Sequence, residues 1–369
     1  MFSKRYFFLF ACMLAPVLLW AEEISVPEVH DAMNRAYNFD PTAFTWFKQQ
    51  ALASEDPFWS FFAASASYWE FQSDRINPEK QDRARDFLDK AVGYSRRRYK
   101  ENRDNVDAKF FCGVSYCNRA RFNVEQEKWF QAYLDAREGM GMLDDLVEEH
   151  PDYYDAYFAL GVAECFLSDA PMLLKPLAAL IGFSGSRDEG IRKLETSIEK
   201  GQWTSIEAEY YLAYYYYQVE NNGPEAIKRF GSLSERYPMN PIFGYFLGRG
   251  YQINQEPLKA LEAYQRIRDN CYNVDAIDMG NWATFRIGTI LQGEHRIDEA
   301  LKEYARLKKN LTEATHRQEY YYLLPLKIAE TLIERGDLEK ARLYLKVIRS
   351  EWDRDTYKRA RELLKEIGE

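Results

Sequence analysis

In the second half of this chain apolar residues recur three, four and seven positions apart. That spacing lays a single stripe along an α-helix. The stripes themselves repeat. Four stretches of 22 residues align without a gap: LAYYYYQVENNGPEAIKRFGSL from Leu212, FLGRGYQINQEPLKALEAYQRI from Phe246, RIGTILQGEHRIDEALKEYARL from Arg286 and KIAETLIERGDLEKARLYLKVI from Lys327. They start 34, 40 and 41 residues apart. Near the start of three of them stands a small residue, Gly248, Gly288 or Ala329, with Tyr214 the exception. Twelve residues later all four have alanine: Ala226, Ala260, Ala300 and Ala341. An aromatic or leucine follows four residues on (Phe230, Tyr264, Tyr304, Leu345), then an aliphatic three beyond that (Leu233, Ile267, Leu307, Ile348). Alanine, aromatic and aliphatic thus share one face of a second helix. Turn residues such as Asn222-Gly223-Pro224 and Gly336-Asp337 separate it from the first. Each stretch predicts two antiparallel helices, brought close by their small residues.

The same alternation, more loosely spaced, extends toward the N-terminus. DAYFALGVAEC from Asp155, after Pro151, reads as a first helix centred on Leu160-Gly161, and FFCGVSYC from Phe110 as another. Ala84, Leu88 and Ala91 suit a second helix after Pro78, and residues 41–72 read as two aromatic-rich helices divided by Asp56-Pro57. Arg354 to Ile367 predicts a charged final helix, the polar cap that the end of a helical stack requires. The expectation is an all-α solenoid of six to seven helix pairs between Asp31 and the C-terminus. Pro171 to Phe183 (PMLLKPLAALIGF) interrupts it and is expected to pack back along the stack, the alternative being a loop facing a membrane or a partner.

These positions resemble the tetratricopeptide repeat, whose small-residue, alanine, aromatic and closing-proline pattern recurs every 34 residues. Pro238, after Arg236-Tyr237, matches the closing proline, while the 40- and 41-residue steps depart from the period. The resemblance implies a right-handed superhelix whose first helices line a concave groove. It places Tyr211, Tyr215, Tyr245, Arg249, Gln252, Phe285, Thr289 and Gln292 in that groove, where aromatic and arginine side chains would anchor a protein or peptide. A narrower likeness covers 174–250. LIGFSGSRDEGIRKLE from Leu180 and RYPMNPIFGYFLGRG from Arg236 resemble the eukaryotic tetratricopeptide repeat protein thirty-nine family of mitochondrial or inclusion-body-clearance proteins. That family has no assigned reaction, so the likeness implies a scaffold.

The N-terminus changes the picture of where this solenoid works. Lys4 and Arg5 precede an apolar run from Tyr6 to Trp20, and Ala21 stands before Glu22-Glu23. A basic start, a short apolar run and a small residue before polar sequence form a secretory signal. About 15 apolar residues fall short of the roughly 20 that span a bilayer. The expectation is a signal peptide over residues 1–21, a single repeat domain over 22–369, and residence in the periplasm or envelope of a bacterium. Membrane attachment would follow only from an uncleaved signal or from lipidation at Cys12, after Leu9-Phe10-Ala11.

Without residues 1–21 the chain keeps 47 basic and 58 acidic residues. That balance disfavours nucleic acid and anionic lipid surfaces, which attract basic patches. Candidate chemistry is sparse. His30, His150, His295 and His316 form no H-E-x-x-H, and Cys112, Cys117, Cys165 and Cys271 form no C-x-x-C. Gly182 to Ser186 lacks the glycine spacing of a nucleophile elbow. Neither a catalytic residue nor a metal or cofactor site is expected. The sequence thus points to a non-enzymatic scaffold binding a protein or peptide, ahead of a structural or tethered envelope protein and of a small-molecule carrier or enzyme. If the signal is cleaved, N-terminal sequencing of the protein from the envelope fraction starts near Glu22. An intact Met1 in a soluble cytoplasmic protein would overturn export.

Overall fold

The computed structural model describes residues 25–168, 185–271 and 273–368. The signal peptide and the segment 171–183 lie outside the described residues. Within them are seventeen α-helices, a single 3-10 turn at Glu313–Thr315, and no strand. In chain order the helices are α1 (Val26–Tyr37), α2 (Pro41–Ser54), α3 (Pro57–Ser73), α4 (Pro78–Glu101), α5 (Val106–Glu125) and α6 (Trp129–Glu149). Then follow α7 (Ala156–Ser168), α8 (Arg187–Lys200), α9 (Ser205–Gln218), α10 (Gly223–Arg236), α11 (Pro241–Ile253) and α12 (Pro257–Cys271). The last five are α13 (Ile277–Gly293), α14 (Ile297–Lys309), α15 (Glu319–Glu334), α16 (Leu338–Lys346) and α17 (Arg354–Glu366). Neighbours in sequence pack as pairs and each pair packs on the next, so the fold is an α-solenoid.

The described helices form eight pairs, α1/α2 to α15/α16, closed by α17. The expected six to seven falls short because α1 begins before Asp31 and pairs with α2 ahead of the Asp56-Pro57 break. Helix starts follow a local rule. Asp40-Pro41, Asp56-Pro57, Asn77-Pro78 and Asn240-Pro241 open four helices. In each, the Asp or Asn side chain accepts from a first-turn amide, and proline follows where its missing N–H costs nothing.

The repeat register holds in three dimensions. Ala226, Ala260, Ala300 and Ala341 are fully buried, as are Phe230, Tyr264 and Tyr304 in the same stripes. The backbone repeats too: Asn221, Gln255, His295 and Gly336 hold the same position in the four stretches and all turn with positive φ, between 49° and 85°. The small residues of the first helices act differently from expectation. A Cβ on Gly248 would stand 2.6 Å from Cε1 of Tyr264, so Gly248 makes room for the ring of its own repeat, and Gly288 does so for Tyr304. Backbones approach directly elsewhere, at Gly113 against Gly139 and Gly161 against Gly190.

The solenoid also turns back on itself. Helix α3 packs against α11 and α13, four and five pairs along the stack. Trp69 sets its indole edge-on to Tyr210 at 4.9 Å and to Phe243 at 5.5 Å. Three loops between successive pairs receive the N-terminal helices. Trp203 stacks on His30 at 5.1 Å and meets Phe58 and Phe62. Asn240 Nδ2 donates to the Tyr37 carbonyl at 2.7 Å, and the Met239 amide donates to Asn38 Oδ1 at 2.9 Å. At the third loop Asp74, just beyond α3, accepts from the Asp278 amide at 3.1 Å. Ala276, at the start of α13, has no side-chain acceptor, so a carboxylate 204 residues away caps that helix instead. Lys80 bridges Asp74 and Asp275, each at 3.2 Å.

Two glycine substitutions test the register against each other. Gly248→Ala drives a methyl into the Tyr264 ring and is expected to cost about 1–3 kcal/mol. Gly93→Ala, on an exposed stretch of α4 with no atom within 4 Å of the new Cβ, is expected to gain up to about 1 kcal/mol. Equal melting temperatures in the two variants would mean that Gly248 does not face the Tyr264 ring.

Candidate functional site

The groove residues expected from the repeat do not form an open groove. Tyr215 is 1% exposed and donates its hydroxyl to Glu220 Oε1 at 3.1 Å. Its ring packs edge-on to Phe166, away from the inner face. Phe285 is 2% exposed, among Tyr304 and Trp282, and Tyr245 is 8% exposed beside Tyr264, Phe246 and Trp282. Gln252 and Gln292 are partners of buried tyrosines: Tyr264 and Tyr304 donate their hydroxyls to them at 2.7 and 3.2 Å. Thr289 donates to the Arg286 carbonyl at 2.8 Å, within its own helix. Arg249 lies over the Tyr217 ring at 5.3 Å, not beside Tyr215.

The reason is geometric. The inward stripe of α9 runs through Glu207, Tyr210, Tyr211 and Tyr214, at helical steps of three, one and three. Tyr215 is 100° further round and faces the neighbouring pair. Of the expected residues, Tyr211 and Tyr245 do share a cavity, of about 310 Å³, with Tyr214, Phe246 and Trp282. Its other wall is α3, through Trp69 and Gln72, with Arg75 just beyond it. The chain's own helix occupies the inner face.

That interior is wired with polar groups. Tyr68 donates to Glu125 Oε1 at 2.6 Å, and Gln72 Nε2 donates to both carboxylate oxygens of Glu125 at 2.7 and 2.6 Å. Tyr320 donates to Asp278 Oδ1 at 2.7 Å. Burial pushes the Asp278 carboxyl up to about 6, reinforced by the Asp74 carboxylate and opposed by the Tyr320 hydroxyl. Burial also raises the Glu207 carboxyl. The cysteines are ordinary core groups: burial lifts the thiol of Cys112 to about 11 and those of Cys117, Cys165 and Cys271 to about 12. A thiol so raised is protonated near neutral pH and a poor nucleophile. Among the described residues no three His, Cys, Asp or Glu side chains gather as metal ligands would.

An open, apolar concavity lies elsewhere, between the pair α5/α6 and the helices α7 and α9. It is a cleft of about 580 Å³, within the range of small-ligand sites. Its walls are short and apolar because facing positions carry small side chains: Ala132 and Ala136 one turn apart on α6, Ala159 and Ala163 one turn apart on α7. Met140, Val162 and Phe166 complete those walls. Arg121 lies against the inner end, its guanidinium 4.7 Å from the Tyr211 ring centre, 5.4 Å from Tyr68 and 5.7 Å from Phe158. At the rim, where α6 begins, Trp129 is 64% and Phe130 76% exposed, with Val124 and Leu134 also uncovered. Sequence reasoning missed Arg121 and this rim. The alanine pairs four apart on two successive helices, and an apolar Trp-Phe directly after Lys128, carried the signal.

No protein-family model matches this chain, and no curated protein does. The likeness of 174–250 to the tetratricopeptide repeat protein thirty-nine family therefore stands only on its own residues. Among solved structures the chain is similar to yeast Tom70, with a TM-score of 0.44 and 13% sequence identity over 91% of this chain and 78% of that one. It is also similar to the human IFIT1 dimer with m7Gppp-AAAA, with a TM-score of 0.46 and 12% identity over 94% of this chain and 87% of that one.

The Asp278 carboxyl gives a pH test of the closed interior. A carboxyl with a raised pKa binds its proton more tightly folded than unfolded, so its contribution to stability falls as pH rises from about 4 to about 6. Asp278→Asn removes that titration. The stability of the parent relative to the variant is expected to fall by up to roughly 3 kcal/mol across that window in urea unfolding. A difference that stays flat would place Asp278 at its ordinary value and the Asp74–Asp278 junction in water.

Proposed function

We propose that this protein is a non-enzymatic binding scaffold of a bacterial envelope, exported by its N-terminal signal, that docks a protein or peptide at the start of α6. The observation that carries this reading is the uncovered pair Trp129 and Phe130 on a molecule whose other large aromatics are mostly turned inward. Phe130 and Leu134, four residues apart, extend the patch along one helix face, and Trp129 joins it to the mouth of the cleft. Soluble proteins rarely leave neighbouring large apolar side chains in water, and tryptophan is among the strongest interface anchors. The inner face is a poorer candidate because α3 covers it. The raised, protonated thiols favour a scaffold over a thiol enzyme.

A photo-crosslinking amino acid at position 130, in cells, is expected to trap a discrete envelope protein, while the same probe at the buried position 215 traps none. Trp129→Ser with Phe130→Ser is expected to abolish that product and leave the melting temperature close to the parent. Crosslinks unchanged in the double variant, or found equally from position 215, would overturn docking at this rim.

A further inference from the structure

Arg121 is a guanidinium held in an apolar place, its charge met through space by the Glu207 and Glu125 carboxylates but by no ion pair among the described residues. Its hydrogen bond runs from Nη2 to Asn118 Oδ1 at 2.6 Å. Nη1 is buried and has no acceptor. Among the described residues no carboxylate comes within ion-pair distance of it. Glu125, one turn along α5, is engaged by Tyr68 and Gln72. Three aromatic faces around the guanidinium compensate part of its desolvation, yet a buried donor without an acceptor is costly and calls for one. The space next to it is the apolar cleft, walled by Ala136, Ala159 and Ala163 and wide enough for a hydrocarbon chain.

We propose that this cleft binds a long-chain carboxylic acid, head inward: the carboxylate pairs with the Arg121 guanidinium, which lines the inner end, and the acyl chain runs outward between α6 and α7. The ligand is a free acid because the inner end offers one guanidinium among the rings of Tyr68, Phe158 and Tyr211, a match for a bare carboxylate. The chain emerges beside Trp129, whose exposed indole would cover its last carbons. This goes beyond the protein-binding reading and shares only Trp129 with it, since Phe130 and Leu134 lie outside the cleft lining.

Titration of the purified full chain with palmitate, followed by displacement of a fluorescent polyene fatty acid, tests it. One saturable site per chain is expected. Methyl palmitate, which has no negative charge, and lysophosphatidylcholine, whose carboxyl is esterified, are expected not to compete. Arg121→Met is expected to weaken palmitate binding roughly tenfold or more. Ala163→Trp, which fills the cleft from a half-buried position and leaves Arg121 in place, is expected to abolish binding while far-UV circular dichroism stays that of the parent. Ala136→Trp does the same from the opposite wall, so misfolding of any one variant leaves two others to read. Competition by the methyl ester equal to that of the acid would overturn the inward head. Failure of palmitate to saturate, as when an apolar stretch of this chain or of a partner already fills the cleft, would overturn the proposal outright.

Discussion

The contact of α3 with the first helices α11 and α13 governs the rest of this molecule. A linear stack of helix pairs would hold each repeat only by its neighbours. Here Trp69 wedges between Tyr210 and Phe243, and Asp74 supplies the cap that α13 lacks. These contacts join residues more than 140 positions apart, so they close a loop of five pairs into one cooperative body. The first helices then face one another across a filled interior instead of lining a trough. Their aromatic load follows: α3, α9 and α11 are rich in Phe, Trp and Tyr because the space between them is wide and must be filled by large side chains.

Closing the inner face moves the available surface outward. Where α3 seals the stack, small residues on the first helices serve the rings of their own repeats, as Gly248 serves Tyr264. Between α6 and α7 both walls carry alanines, Ala132 and Ala136 on one and Ala159 and Ala163 on the other, and a cleft remains between them. The same residue type therefore tightens one part of the solenoid and lines a cleft in another.

Much of the fold was legible in the sequence because its cause is local. The alanine, aromatic and aliphatic stripe, the Asp-Pro and Asn-Pro starts and the turn positions each depend on residues within one helix pair, and the structure keeps all of them. The helix from Arg354 was legible for the same reason. The candidate site was not. Tyr215 and Phe285 were assigned to a groove from the family's open geometry, but whether a first helix faces water depends on α3, over 130 residues earlier in the chain. The exchange of Tyr215 for Tyr214 in the inward stripe is a 100° error, one residue in register, and no periodicity within a run of four tyrosines resolves it. Gln252 and Gln292 looked like groove residues because they are polar on an apolar helix. Their polarity answers a need inside the repeat, an acceptor for a buried tyrosine hydroxyl.

That need explains why the interior is tyrosine and not phenylalanine alone. A buried hydroxyl without an acceptor costs about 1–3 kcal/mol, so each tyrosine fixes where its ring can sit. Tyr264 and Tyr304 find glutamine, Tyr68 finds Glu125 and Tyr320 finds Asp278, four rings tied to four fixed acceptors. Two of those acceptors are carboxylates, and each joins elements distant in sequence: Glu125 of α5 with α3, Asp278 of α13 with α15 and the end of α3. Greasy rings alone would let the closing helix slide or rotate at small cost. Tyr68, whose hydroxyl must meet Glu125, holds α3 in one register against α5, and Arg121, a turn before Glu125, lines the cleft beside it.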